Sequence, residues 1–259
     1  MKTKSIGFIG GGRITKIFLV AFKKAGVTID QVRVFDPQEA ELGVLKRQFP
    51  DIVSSSNDIS EAAAADIVFL AVHPPKIIET LNNIKEKLKP DSIIISLAPK
   101  VTIQKMMDAL GGFSNIARIN PSASSIINKG LNPVCFSPSM SHEKREMVIE
   151  LMAPLGTMPE IAEHKVEAYA MISAMGHTYF WPQIQKMQEL AISFGMDESE
   201  AKSVITEMLN GTSDTLFKSG LSYAEVVDLV PVKPLHEVES TINGYFEEYL
   251  TALFNKIKA

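Results

Sequence analysis

The chain has one cysteine, Cys135, in 259 residues, so no intramolecular disulfide can form. A reducing, cytoplasmic setting is the simplest expectation. No apolar run approaches the ~20 residues needed to span a bilayer, which argues against a membrane helix. Lysine and arginine are scattered and the net charge is −4, so no nucleic-acid or lipid-binding surface is expected. The start is basic but meets glycines after a few apolar residues, and no secretory leader is expected. The five histidines show no metal-ligand spacing, and no metal is expected. Internal repeats and low-complexity tracts are missing too. What is there is ordinary globular material, 46% hydrophobic and 22% charged.

Through residue 160, short β-branched runs alternate with amphipathic helices. Strands are expected at Ser5–Gly10, Val32–Phe35, Ile52–Ser54, Asp66–Val72, Ser92–Leu97, Asn115–Ile119, Pro133–Phe136 and near Met158–Ile161. Helices are expected at Arg13–Ala25, Gln38–Phe49, Ser60–Ala65, Pro75–Leu88, Ile103–Leu110 and Ser141–Met152. Asp66–Val72 is apolar on both faces, as a central parallel strand is. The alternation predicts an α/β fold with a parallel, doubly wound Rossmann sheet over 1–160. From 161 to 259 strand signals stop. One long helix is expected over Lys165–Phe194, a second from Asp197 to Lys218, a short one capped by Ser222, and a last one at Glu237–Lys258. Met171–Met187 is apolar almost all round, which predicts burial, and two chains interlocking as a homodimer through an all-helical C-terminal domain.

The sharpest motif is Gly10-Gly11-Gly12-Arg13-Ile14-Thr15, between the first strand and the first helix. Gly10 permits a tight turn, and Gly12 lets backbone approach a diphosphate resting on the helix N-terminus. Thr15 replaces a third glycine. Asp36 closes the second strand, 24 residues beyond Gly12. A carboxylate there accepts ribose hydroxyls and repels a 2′-phosphate, favouring NAD over NADP. Arg13 and Lys16 are the opposing cations.

The sequence resembles the pyrroline-5-carboxylate reductase family along nearly its whole length. The carriers are the opening Ile6-Gly7-Phe8-Ile9-Gly10-Gly11-Gly12, the Asp66–Pro74 segment, Leu97–Thr102, Arg118-Ile119-Asn120-Pro121-Ser122 and Ser173-Ala174-Met175-Gly176-His177. The resemblance implies an NAD(P)-dependent oxidoreductase that passes hydride to a small cyclic imine. It implies cofactor contacts at Ile9 to Ile14, Asp36, Ala71, Val72, His73, Pro74, Ala98 and Asn120. It also implies substrate contacts at Asn120, Ser122, Met175 and Gly176. The family's Gly-Gly-Thr-Thr loop is replaced by Val230–Glu237, where Lys233 is the expected carboxylate partner.

His177 is the expected proton donor, since imidazole titrates near neutral pH. A histidine packed in the interior is the alternative. Ser173 is expected to orient substrate or nicotinamide, or else to bond back along its own helix. The replaced loop leaves two further readings open: reduction of a different small imino or keto acid, and a non-catalytic NAD(P) sensor. Cys135 reads as a buried small hydrophobe.

Overall fold

The computed structural model describes residues 5–258 except 28, 30, 51, 52 and 57. In chain order it runs β1 (Ile6–Ile9), α1 (Arg13–Lys24), β2 (Val32–Phe35), α2 (Glu39–Gln48), β3 (Val53–Ser56), α3 (Ile59–Ala63), β4 (Ile67–Leu70), α4 (Ile77–Ile84), β5 (Ile93–Ser96), α5 (Ile103–Ala109), β6 (Ile116–Ile119), β7 (Gly130–Leu131), β8 (Val134–Phe136), α6 (His142–Met152) and β9 (Gly156–Thr157). Thr102 and Ser141 cap α5 and α6, each accepting an N–H from three residues on. Ile52 of the expected third strand lies outside the described residues.

Seven strands form one sheet in the order β3-β2-β1-β4-β5-β6-β8, parallel except for β8, which runs against β6. The chain reverses direction across the sheet between β1 and β4, so a crevice opens beyond their C-terminal ends. Both faces of the central strands are apolar. Phe8, Phe69 and Ile95 point into one core with α1, while Val68, Leu70 and Ile94 point into the other with α4 and α5. The rings of Phe8 and Phe69 stack at 4.6 Å, and Phe18 meets Phe69 edge-on.

The strand expected near Met158–Ile161 is not a regular one. The segment does run beside β8, through Val134 N–H to Pro159 O and Ile161 N–H to Val134 O. Pro159 has no N–H to continue a ladder, and the regular pairing is instead Gly156–Thr157 with β7. A 3-10 segment at Ala123–Ile127 starts where the Ser122 hydroxyl accepts the Ser124 N–H, a local bond with no periodic signature in the sequence.

The chain divides into two compact units, one ending at Ala174 and resuming at Phe254, the other Met175–Leu253. The division falls after the change in texture near residue 160. Residues 163–174 are already helical, with α7 (Val166–Tyr169) followed by a π-helical stretch Ala170–Ala174, yet Val166 is buried in the sheet unit's core. Secondary structure changes before packing partners do.

The second unit is all helical: α8 (His177–Ser193), α9 (Glu198–Lys218), α10 (Tyr223–Asp228) and most of α11 (Glu239–Ile257). Asp197 and Ser222 each form a capping box with a glutamate three residues on. The single long helix expected over Lys165–Phe194 is broken at Met175–Gly176, where the π-helical register ends and a turn precedes α8. Tyr179 and Phe180 pack on Phe246 of α11. Within a single chain the apolar Met171–Met187 stretch is buried at Met171, whereas α8 has no fully buried residue and Trp181 and Phe180 are each about half exposed.

Candidate functional site

The turn after β1 is built around Gly10. Its φ is +112°, and a Cβ there would lie 2.4 Å from the Ala71 carbonyl oxygen, so both conformation and space demand glycine. Thr15, fully buried on α1, donates its hydroxyl to the Gly10 carbonyl at 2.6 Å. The residue in the third glycine's place therefore also fixes the turn. Gly12 begins α1 with no side-chain cap and no acidic residue in the first turn. A Cβ on Gly12 would meet nothing within 4 Å. Open space in front of uncapped helix N–H groups suits an anion.

That space belongs to a cleft of about 870 Å³ at the crevice beyond the strand ends, within the range of small-molecule sites. Four strand ends wall it: Ile9 and Gly10, Phe35 and Asp36, Ala71 to Pro74, and Leu97 to Pro99. Gly12, Arg13 and Ile14 supply the helix side. Lys76 also lines it, in an ion pair with Glu79.

Asp36 accepts the Gly11 N–H at 2.7 Å and the Gln38 N–H at 2.8 Å, one on each oxygen. Each oxygen keeps a further lone pair for a ribose hydroxyl. Of the expected cofactor positions, Ile9, Gly10, Gly12, Arg13, Ile14, Asp36, Ala71, Val72, His73, Pro74 and Ala98 converge on this cleft. Gly11 does not line it, because its N–H turns to Asp36. Lys16 does not line it either.

Asn120 and Ser122 are placed differently from expectation. Asn120 is buried and gives its amide N–H to the Val166 carbonyl, away from the cleft lining. Ser122 is buried too, with its backbone N–H on Asn132 Oδ1 and its hydroxyl accepting from Ser124. Both brace the chain after β6. Ser173 donates to the Tyr169 carbonyl at 2.7 Å, the backward helix bond that was its alternative. In the second unit, Met175 and Gly176 form the turn before α8, the His177 ring stacks on Trp181 at 5.5 Å, and Lys233 lies exposed in the 230–235 loop. Cys135 is buried, and burial pushes its thiol up to about 11, which removes it as a nucleophile. Among the described residues no cluster of histidine, cysteine or carboxylate groups suits a metal, and no helix is long and apolar enough to cross a membrane.

No sequence motif marks a part for Arg118 at the site. Its side chain is 1% exposed, donating to Glu163 at 2.9 Å and to Glu167 at 2.7 Å. A lone arginine in an apolar strand was the available signal, since such a group is buried only when paired.

Known proteins add to this geometry. Residues 5–100 match the family described as NADP oxidoreductase, coenzyme F420-dependent. The chain is 27% identical over 229 residues to the Escherichia coli pyrroline-5-carboxylate reductase, covering 88% of this chain and 84% of that one. It is 24% identical over 214 residues to the Haemophilus influenzae enzyme of the same name, covering 82% and 78%. Over most of its length the chain is similar to pyrroline-5-carboxylate reductases. A crystal structure of the Plasmodium falciparum pyrroline carboxylate reductase with NADP bound shares the fold, at a TM-score of 0.83 and 21% identity over 100% of this chain and 98% of that one. With these similarities the chain is an NAD(P)-dependent oxidoreductase, and the cleft above the Gly10–Gly12 turn suits a dinucleotide.

Proposed function

We propose that this reductase acts on a small cyclic imino acid, with pyrroline-5-carboxylate converted to proline as the reaction to test first. The observation that carries the reading is the open Gly12 cradle at the sheet's switch point, joined to similarity over 88% of the chain to an enzyme of that name. When bound, the nicotinamide cofactor supplies the hydride. The chain's part is to seat the diphosphate on the α1 N-terminus, orient the adenosine ribose through Asp36, and deliver a proton. For the proton we assign His177, and for the substrate carboxylate Lys233. Asp36 supports NAD over NADP, whereas Arg13 and Lys76 in the cleft lining oppose it.

The helical unit supports a homodimer. Phe217 and Phe194 are 77% and 80% exposed, and Val232, Tyr245 and Tyr249 are exposed as well. Apolar surface on that scale marks an association face. The buried lone cysteine accords with a cytoplasmic setting.

The test is oxidation of NADH and of NADPH with pyrroline-5-carboxylate, run beside linear imino and keto acids. Turnover with the cyclic imine supports the proposal; turnover only with another acid reassigns the substrate, and none with any acid defeats it. A His177→Ala variant is expected to lose about 100-fold in kcat with cofactor affinity unchanged. Full activity in that variant removes the proton-donor role.

A further inference from the structure

The turn between β5 and α5 supplies Leu97, Ala98 and Pro99 to the end of the cleft opposite Asp36. With the diphosphate at Gly12 and adenosine toward Asp36, this end faces the nicotinamide half. Lys100, next in the chain, has φ +75°, a left-handed conformation that costs a non-glycine residue about 1 kcal/mol or more. Something outside the turn must hold it there.

Two carboxylates from another part of the chain do so. Glu167, 4% exposed, accepts the Lys100 N–H at 3.2 Å, and Glu163 accepts the Ile103 N–H at 2.7 Å. Both are gripped by Arg118, which pairs with Ser96 in the sheet, at the last residue of β5. The guanidinium thus fixes two carboxylates, and each carboxylate fixes one backbone amide flanking the turn. Among the described residues the Arg118 Nε has no hydrogen-bond partner, so a buried charge is retained although its bonding is incomplete. A buried ion pair is weak evidence of stability gained. Here its bonds end on the backbone that flanks the Leu97–Pro99 wall, where Lys100 is held at positive φ.

We propose that Arg118, Glu163 and Glu167 are positioning residues that, by holding the backbone at Lys100 and Ile103, set the Leu97–Pro99 wall for the nicotinamide half of the cofactor. This rests on the cofactor reading given above. The network acts on one half of the dinucleotide only, and that separates it from a purely structural role. ADP, which carries only adenosine and diphosphate, is the control ligand. Binding of ADP, NADH and NADPH is measured by titration calorimetry on the full chain.

Glu167→Ala is expected to weaken the better-bound of NADH and NADPH about tenfold, the size of one lost charge-assisted bond, while ADP changes by less than about twofold. Glu167→Gln keeps an oxygen for the Lys100 N–H and is expected to stay within about threefold of wild type. Arg118→Lys, which keeps the charge but cannot grip two carboxylates, supplies the same comparison where Glu167→Ala fails to fold. Parallel losses of ADP and reduced cofactor, or no loss of either, overturn the proposal. A wild-type protein that binds none of the three ligands overturns the cofactor reading itself, and this inference with it.

Discussion

The carboxylate of Asp36 and the amide of Gly11 are joined by a 2.7 Å hydrogen bond that ties the end of β2 to the turn after β1. Asp36 therefore shapes the cradle as well as lining the cleft. Asp36→Ala is expected to weaken NADH binding about tenfold and NADPH binding less, moving the preference toward NADPH. Fluorescence titration with both cofactors measures the ratio; an unchanged ratio removes Asp36 from cofactor discrimination.

Gly10 and Gly12 are two residues apart and should fail in different ways. Gly10→Ala forces a Cβ against the Ala71 carbonyl at positive φ, which should cost more than about 2 kcal/mol and lower the melting temperature by several degrees. Gly12→Val fills open space, so the melting temperature should hold while cofactor binding drops at least about tenfold. Calorimetric melts with and without NADH separate the two outcomes.

Asp66 ties the start of β4 to Ser5 and Lys89. Burial alone would raise its pKa, but the bonds from Lys89 and from the Ser5 amide and hydroxyl outweigh it and hold the group at about 2. A depressed carboxylate contributes stability above its ordinary pKa of about 4 and loses it as pH falls toward 2. Asp66→Asn should therefore lower the melting temperature at pH 7 and narrow its gap from wild type between pH 4 and 2. A constant gap across that range argues against the linkage.

The exposed helical face predicts association. Sedimentation at micromolar concentration should give a dimer, and Phe217→Glu should shift it toward monomer without loss of helix by circular dichroism. A monomeric wild type contradicts the homodimer.

The turn glycines and Asp36 were legible because a dinucleotide cradle is local: a glycine, a helix start and a carboxylate at fixed spacing. The central strands were legible for a similar reason, since apolar residues on both faces admit one burial. The helix breaks at Asp197 and Ser222 were equally readable, through capping chemistry confined to four residues.

What the amino-acid order determined is the set of these short-range constraints: strand–turn–helix at residues 6–24, parallel order, and an apolar helical tail. Tertiary structure alone decided that Asn120 braces Val166, that residues 163–174 pack with the sheet unit, and that Arg118 gathers two glutamates more than forty residues away. Those pairings depend on which distant backbone amides and carbonyls are left unsatisfied once the sheet forms, and no periodicity along the chain records that.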